Sequence, residues 1–346
     1  MITIIMSIIC FVCIFYFFYH ELNKFKTNKT FVIFASLLLA TPSLNVASIL
    51  FIFEIHFIIF ILILEFIFKY LHKLHQNKYR IIILFSSFIL SFIIIMYGLY
   101  NMNHIVKTSY SITSTKNLKN DYKIVMISDI HYPTSLNSTK LNQLVNQILK
   151  ENPDYVMLCG DITDEYTSNS QKDEVFKTLG QLTHIADVFY VYGNHDLGNY
   201  SIHNKTSCNE FSQLIESYGI QVLNDEQITL NNEITLIGRK DYNLHNRKSI
   251  DSYNINKNTY NIILDHQPKE LKECSKNKID LHLSGHTHSG QIFPLYYIFE
   301  LFNINELNYG IEPFNQMNAI NTSGVSGWGF PVRTQQHSEY VIINII

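Results

Sequence analysis

One short pattern recurs along the C-terminal two thirds of the sequence: an apolar run ends abruptly in a turn that carries Asp, Asn or His. The clearest copy is the run from Asp187 to Tyr192, which leads into Gly-Asn-His-Asp at 193–196. Apolar runs of about four to eight residues that end in turn residues predict buried strands. Ligands collect at the ends of such strands in layered α/β folds, so the pattern predicts a fold class and the place of a functional site.

Four further runs end in the same way, and they lead into Asp129-Ile130-His131, Gly160-Asp161, Asp265-His266 and Gly285-His286-Thr287-His288. The five turns supply seven candidate metal ligands with oxygen or nitrogen donors, namely Asp129, His131, Asp161, Asn194, His266, His286 and His288. Seven ligands are too many for one ion and suit two ions that share a carboxylate. This donor set favours Mn²⁺, Fe or Zn²⁺ over Ca²⁺ or a structural zinc.

A pair of such ions predicts phosphoryl chemistry. Two metal ions about 3.5–4 Å apart can hold the attacking and the leaving oxygen of an in-line phosphoryl displacement. They also lower the pKa of a bound water molecule toward about 7, so that hydroxide is available as the nucleophile at neutral pH.

The first hundred residues differ from the rest, because Ile, Leu and Phe dominate them. A helix that crosses a membrane needs about 20 apolar residues. Apolar stretches at 2–19, 31–68 and 81–100 therefore predict about four crossings, with two of them in 31–68 on either side of a turn near 41–45. The sequence thus predicts an all-α transmembrane region at 1–100, a polar linker at 101–121 and an α/β layered domain at 122–346.

Basic residues in the loops predict the orientation of this region. With four crossings, the loops 20–30 and 69–80 share one side, and they hold seven basic residues: Lys24, Lys26, Lys29, Lys69, Lys73, Lys78 and Arg80. The other side has three, which are Lys107, Lys116 and Lys119. Because basic loops stay in the cytoplasm, the sequence predicts a multi-pass protein of the cytoplasmic membrane with an extracytoplasmic domain. A different number of crossings would reverse this orientation.

The ordered motifs resemble the calcineurin-like metallophosphoesterase superfamily, and the resemblance covers residues 122–346. They are Asp129-x-His131, Gly160-Asp161-x-x-Asp164, Gly193-Asn194-His195-Asp196, His266 and Gly285-His286-x-His288. Residues 285–291 and 323–333 further resemble its bacterial membrane-associated branch, which includes phosphodiesterases and UDP-2,3-diacylglucosamine pyrophosphatase-like enzymes. The resemblance implies a four-layer α/β/β/α sandwich with the metals at its rim.

The resemblance also implies a role for each residue. One metal would be held by Asp129, His131, Asp161 and His288, and the other by Asp161, Asn194, His266 and His286. His195 would contact the phosphate or protonate the leaving oxygen, oriented by Asp164. Asp196 is expected to close its loop by accepting backbone hydrogen bonds. Tyr132-Pro133, Glu165 and Ser289 depart from the family pattern, which bears on substrate choice and removes no ligand.

Substrate contacts outside the motifs are predicted at Arg239, Lys240 and Arg333, which could hold a phosphate. The apolar run 292–299, with Leu301 and Phe302, directly follows the last His motif. Two interpretations of this run stand side by side: a flap that meets the bilayer or acyl chains, and ordinary core packing.

The sequence as a whole predicts a membrane-anchored phosphoester hydrolase that depends on two metal ions and cleaves a phosphodiester or pyrophosphate bond. A lipid-linked or nucleotide-linked phosphate is the candidate substrate, although a UDP-linked lipid would need a cytoplasmic site. The alternatives are a metal-binding membrane sensor or scaffold without turnover, and a transport-related protein supported only by Glu54, His56 and Glu65. The net charge of −3 gives no basic footprint for nucleic acid.

Overall fold

The computed structural model describes residues 2–70, 76–200, 205–244 and 246–346 of the chain. These residues form two units. The first contains Met1–Tyr100 together with the short segment Gly329–Thr334, and the second contains Asn101–Trp328 and Gln335–Ile346.

The first unit is built from four helices, which are α1 (Ile2–Asn23), α2 (Lys29–Ala40), α3 (Ile49–Tyr70) and α4 (Gln76–Asn103). The expected turn near 41–45 is present as a 3-10 turn at Thr41–Leu44. Among the described residues, three helices rather than four are long and apolar enough to cross a membrane, since α2 has only 12 residues. The Asn28 side chain caps the start of α2, and Pro42 follows its end, so local sequence limits its length.

The two ends of this helical unit are marked by different contacts. At one end, Arg80 near the start of α4 bonds Glu21 of α1 (Nη1–Oε2, 2.6 Å) and Glu65 of α3 (Nη2–Oε1, 3.3 Å). At the other end, residues 44–47 line a cavity together with Ile4 and Ile8 of α1. Helix α2 and its 3-10 turn therefore lead from the first end back to the second, although α2 is short.

The second unit contains two six-stranded sheets. The first sheet has the order β1-β12-β2-β3-β4-β5, formed by Ile105–Ile112 (β1), Ser338–Ile345 (β12), Tyr122–Ile127 (β2), Tyr155–Leu158 (β3), Asp187–Tyr190 (β4) and Gln221–Val222 (β5). The second has the order β10-β11-β9-β8-β7-β6, formed by Gly310–Phe314 (β10), Met317–Asn321 (β11), Leu281–Ser284 (β9), Tyr260–Leu264 (β8), Ile234–Gly238 (β7) and Glu226–Leu230 (β6).

Successive side chains of each strand point to opposite faces of the sheet, because a strand repeats every two residues. Ile124 and Met126 of β2 point between the sheets and pack with Leu236, Ile262 and Leu283 of the second sheet. Because the central strands are buried on both faces, they are almost continuously apolar in sequence.

Helices cover both outer faces and complete the four layers that the family resemblance implies. The first sheet is covered by α5 (Ser138–Glu151), α6 (Asn169–Leu179) and α7 (Cys208–Ser217), which contribute Leu144, Phe176 and Phe211 to one core. The second is covered by α8 (Leu271–Lys276), whose Leu271 packs on Ile263. The predicted α/β fold class, preceded by apolar helices, is confirmed.

Residues 101–121 differ from the predicted linker, because they contain strand β1. It pairs in parallel with β12, in a register that runs from Ile105 opposite Ser338 to Ile112 opposite Ile345. The polar composition of this segment is that of an edge strand with one side open to solvent.

Candidate metal centre

The candidate ligands meet at one edge of the two sheets. Strands β2, β3 and β4 run parallel to one another, as do β7, β8 and β9, so the loops that follow them leave at the carboxyl ends of the strands. Two groups of side chains gather there, each with its ligand atoms within 4.8 Å of one another: Asp129, His131 and His288, and Asp161, His266 and His286.

Asp161 connects the two groups. Its Oδ1 accepts a hydrogen bond from the backbone N–H of His195 at 2.9 Å, which fixes the carboxylate. Its Oδ2 lies 3.1 Å from His266 Nε2 in one group and 3.9 Å from His131 Nε2 in the other. Asn194 joins the second group, because its Oδ1 lies 3.1 Å from His266 Nε2.

The spacing of the donors fits divalent metal ions. His131 Nε2 and His288 Nε2 are 3.3 Å apart, and His266 Nε2 and His286 Nδ1 are 3.2 Å apart. Ligand atoms about 2.0–2.2 Å from a shared ion lie roughly 3–3.6 Å apart in octahedral or tetrahedral geometry. The seven side chains could therefore hold two ions, with Asp161 between them.

Burial keeps two of the candidate ligand rings neutral, which suits metal binding. Burial lowers the pKa of His131 well below its ordinary value and lowers that of His286 to about 3, so both rings are neutral. The opposite ring nitrogens of two other ligands bond backbone carbonyls: His266 Nδ1 lies 2.8 Å from Cys159 O, and His288 Nδ1 lies 3.3 Å from Ser326 O. Such bonds fix the tautomer that leaves Nε2 available as a ligand.

The backbone at the ligands is strained. Asp129, His131, Asp161, His286 and His288 all have positive φ, between 47° and 73°, a conformation that costs free energy for residues with a side chain. Such strain clusters at functional sites, where the surrounding structure maintains it.

Two glycines let the chain approach the ligands closely. A methyl group at Gly193 would overlap the Asp161 carboxylate, and one at Gly285 would overlap Asp129. These two motifs therefore need glycine, because the neighbouring carboxylates leave no room for a side chain.

Asp196 closes its loop as expected. Its carboxylate accepts hydrogen bonds from the backbone N–H groups of Asp161 (2.8 Å), Thr163 (2.9 Å) and Gly193 (2.7 Å). It thereby ties the loop after β4 to the loop after β3.

The partner of His195 is Glu165, which corrects the expectation that Asp164 would orient this ring. Glu165 Oε1 lies 2.6 Å from His195 Nδ1, whereas Asp164 Oδ1 accepts a hydrogen bond from the backbone N–H of Tyr166 at 2.9 Å. Asp164 thus forms a local turn, and the turn directs the next side chain toward His195. Burial opposes protonation of His195, yet the bond with Glu165 and the charge of Asp161 raise its pKa above the ordinary value.

Two aromatic residues beside His195 were not identified as site residues from the sequence. The ring centroid of Trp328 lies 4.7 Å from that of His195, and the ring centroid of Tyr200 lies 5.2 Å from it. Trp328 lies in the segment 323–333, which resembles the family. This resemblance was the only sequence signal for Trp328, and it gave no role for the ring.

Each of the three predicted substrate-binding residues bonds to another part of the protein. The buried Arg239 bonds Glu270 Oε2 at 2.7 Å and the carbonyl of Lys248 at 3.0 Å. Lys240 Nζ lies 3.8 Å from Asp225 Oδ2. Arg333 belongs to the helical unit, where its backbone N–H donates to Gly98 O at 3.1 Å. The role of these three residues in substrate binding stays a prediction.

The apolar run after the last His motif forms helix α9 (Leu295–Leu301), and none of its residues is buried. Tyr297, Leu301 and Phe302 are 60%, 74% and 69% exposed. The core-packing interpretation is wrong for these side chains, and the exposed surface agrees with the flap.

Comparisons with known proteins agree with the geometry. Residues 122–290 match the family described as calcineurin-like phosphoesterase. The chain is 27% identical over 281 residues to an uncharacterised metallophosphoesterase of Campylobacter jejuni, a match that covers 79% of this chain and 72% of that protein. It is 26% identical over 282 residues to a Danio rerio transmembrane protein with metallophosphoesterase domain, covering 75% of this chain and 61% of that protein.

One solved structure with a related arrangement is a dimetal phosphatase from Danio rerio. It is 12% identical, with a TM-score of 0.39, and the match covers 64% of this chain and 91% of that one. A likeness of this size is too weak to identify a shared activity.

Proposed function

Residues 122–290 of this chain belong to the calcineurin-like phosphoesterase family of metal-dependent phosphohydrolases, and we propose from this premise that the protein hydrolyses phosphodiester or pyrophosphate bonds at two divalent ions. The observation that carries the proposal is the position of Asp161, whose Oδ2 faces a histidine of each ligand group. A carboxylate so placed can serve two ions at once, which a single-ion site does not need.

Each ion has four candidate ligands. Asp129, His131, Asp161 and His288 would hold one, and Asp161, Asn194, His266 and His286 would hold the other. When bound, the two ions supply Lewis-acid activation of the phosphoryl group and of water. Manganese, iron and zinc all suit this oxygen and nitrogen donor set.

His195 is the proposed general acid. Its Nδ1 is held by Glu165, so its Nε2 remains to donate a proton to the leaving oxygen. Glu165 would position the ring and stabilise the imidazolium form. A sensor or scaffold without turnover would need the metal ligands but not this buried imidazole–carboxylate pair, so the pair favours an enzyme.

The apolar helices would anchor the enzyme in the bacterial cytoplasmic membrane as a multi-pass protein. The ion pairs of Arg80 with Glu21 and Glu65 gather one set of helix ends, and α2 leads the chain back, which supports four crossings. Four crossings put the seven basic loop residues in the cytoplasm and the phosphoesterase domain outside it. The exposed apolar side chains of α9 favour an amphiphilic substrate, such as a lipid-linked phosphate.

The test is hydrolysis of glycerophosphocholine, a diester whose alkyl leaving group needs a proton, by the full chain in detergent with added Mn²⁺. Asp161→Asn should lose both turnover and bound metal, and His195→Ala should lose turnover while it retains metal, as measured by elemental analysis. Asp251→Asn, at an exposed carboxylate, is the matched control and should change neither. A wild-type protein that binds metal but cleaves no monoester, diester or pyrophosphate would instead support the sensor or scaffold.

A further inference from the structure

We propose that Tyr200 and Trp328 form an aromatic clamp that holds a planar leaving group, a nucleoside or another aryl group, beside His195. The inference rests on the proposed function, because it assigns the substrate side that His195 protonates. It narrows the substrate class to phosphoesters whose leaving oxygen carries a flat ring system.

Both clamp residues lie beside the catalytic ring. Trp328 is tilted by 35° to His195 at a centroid distance of 4.7 Å, and Tyr200 is tilted by 54° at 5.2 Å. His195 is only 9% exposed, whereas Trp328 is 41% exposed and Tyr200 is 62% exposed. The two rings therefore present free aromatic surface to solvent where the buried imidazole ends.

The clamp is also close to the metal ligands. The Trp328 ring centroid lies 6.4 Å from that of the candidate ligand His131. A phosphate held between the two ligand groups would thus have aromatic surface next to its leaving side.

The backbone at Trp328 is held in place. The backbone N–H of Trp328 donates to Gln291 Oε1 at 2.9 Å, and Gln291 lies three residues after the candidate ligand His288. Gly327 lets Gln291 approach, because a methyl group at this glycine would overlap the side-chain amide. An aromatic side chain has few rotatable bonds, so on a backbone fixed in this way it loses little conformational entropy when it binds a ligand.

The chemistry of hydrolysis places the leaving group in the clamp. The oxygen of water forms the new bond to phosphorus, the bond from phosphorus to the leaving oxygen breaks, and His195 gives that oxygen a proton. The leaving oxygen must then lie within hydrogen-bonding reach of His195, and the group attached to it lies against the neighbouring rings. A flat π system gains from stacking there by about 5- to 150-fold in binding, whereas an alkyl chain lacks this gain.

Fluorescence can test the clamp directly, because Trp328 is the only tryptophan of the chain. The full chain in detergent with Mn²⁺ is titrated with uridine monophosphate and, separately, with glycerol phosphate. We expect saturable quenching of Trp328 by the nucleotide and none by glycerol phosphate. Tyr200→Ala should weaken nucleotide binding by roughly 5- to 150-fold, and Tyr200→Phe should restore it. The matched control is Tyr166→Ala, which removes an aromatic ring that is 73% exposed, and binding should be unchanged.

Kinetics provide a second arm. Trp328→Leu should lower kcat/KM for a nucleoside diester roughly tenfold more than for a dialkyl diester, and Trp328→Phe should recover most of the difference. Equal quenching by both phosphates, no quenching, or an unchanged ratio in Trp328→Leu would overturn the clamp. If the wild type cleaves no diester and no pyrophosphate, the proposed hydrolase is wrong, while the fluorescence titration still decides whether the clamp binds aryl phosphates.

Discussion

Replacing Glu165 with Gln should slow the hydrolysis of substrates with poor leaving groups far more than that of substrates with good ones. Glu165 Oε1 and His195 Nδ1 are 2.6 Å apart, and both side chains are nearly buried. Glutamine keeps the size and one acceptor oxygen but removes the negative charge that stabilises the protonated ring. The substitution therefore isolates the electrostatic part of this contact.

The magnitude follows from the strength of a hydrogen bond to a charged group, about 1.5–3 kcal/mol. Since each 1.36 kcal/mol changes a rate about tenfold, we expect kcat to fall by about 10- to 150-fold when protonation of the leaving oxygen limits the reaction. A para-nitrophenolate leaves without a proton, so its release should slow much less.

The assay compares two diesters on one preparation of the full chain in detergent with Mn²⁺. Bis-para-nitrophenyl phosphate supplies the good leaving group, and glycerophosphocholine supplies an alkyl one. The quantity of interest is the ratio of the two kcat values, because it is independent of the fraction of active protein. Bound metal is measured in parallel.

Asp164→Asn is the matched control, since it removes a neighbouring carboxylate whose Oδ1 bonds Tyr166 N rather than His195. It should lower stability and leave the kcat ratio unchanged. Our reasoning would be refuted by a Glu165→Gln variant that slows both diesters equally, or by an Asp164→Asn variant that is folded and metal-loaded yet shows the ratio change.

Three further outcomes follow from the geometry. Gly193→Ala should reduce bound metal and cost about 1–3 kcal/mol in the free energy of unfolding, because its methyl group overlaps Asp161; Gly329→Ala, with a φ of 75° but nothing within 4 Å of the new methyl group, should lower stability through backbone strain and leave the metal content unchanged. A chelator should lower the melting temperature, and Mn²⁺ at 100 times its Kd should raise the free energy of unfolding by about 2.7 kcal/mol. A melting temperature that is the same with and without metal would contradict the two-ion site. Arg239→Met should destabilise the domain by about 1–3 kcal/mol at constant KM, as followed by denaturation and kinetics, whereas a raised KM would restore the substrate-binding role.

The gathering of the candidate ligands could be predicted from sequence because each of them lies in a turn that follows a buried strand. Burial of both sheet faces makes β2, β3, β8 and β9 nearly continuous apolar runs, and polar side chains that interrupt such runs at their ends are conspicuous. The order of the motifs then carried the resemblance from which the pairing of ligands was expected, and the distances around Asp161 agree with it.

Other features depend on contacts that no local pattern encodes. Asp164 and Glu165 are adjacent carboxylates, and a turn closed by Tyr166 N decides which of them reaches His195. Arg239 follows a strand and could have faced a phosphate, but Glu270 lies 31 residues away in sequence and binds it instead. Strand β1 was not predicted from the local sequence, because its pairing partner is β12, which lies far from it along the chain.

The same pairing has a mechanical consequence. Strand β1 begins at Ile105, directly after helix α4 ends at Asn103, and it runs parallel to β12 over eight residue pairs. A load applied to β1 along its own axis is shared by the whole ladder of hydrogen bonds to β12. Strands loaded in this shear direction separate only when all of these bonds yield, whereas strands that are unzipped lose them one at a time. The pairing with β12 thus secures the first strand of the domain against a load in this direction.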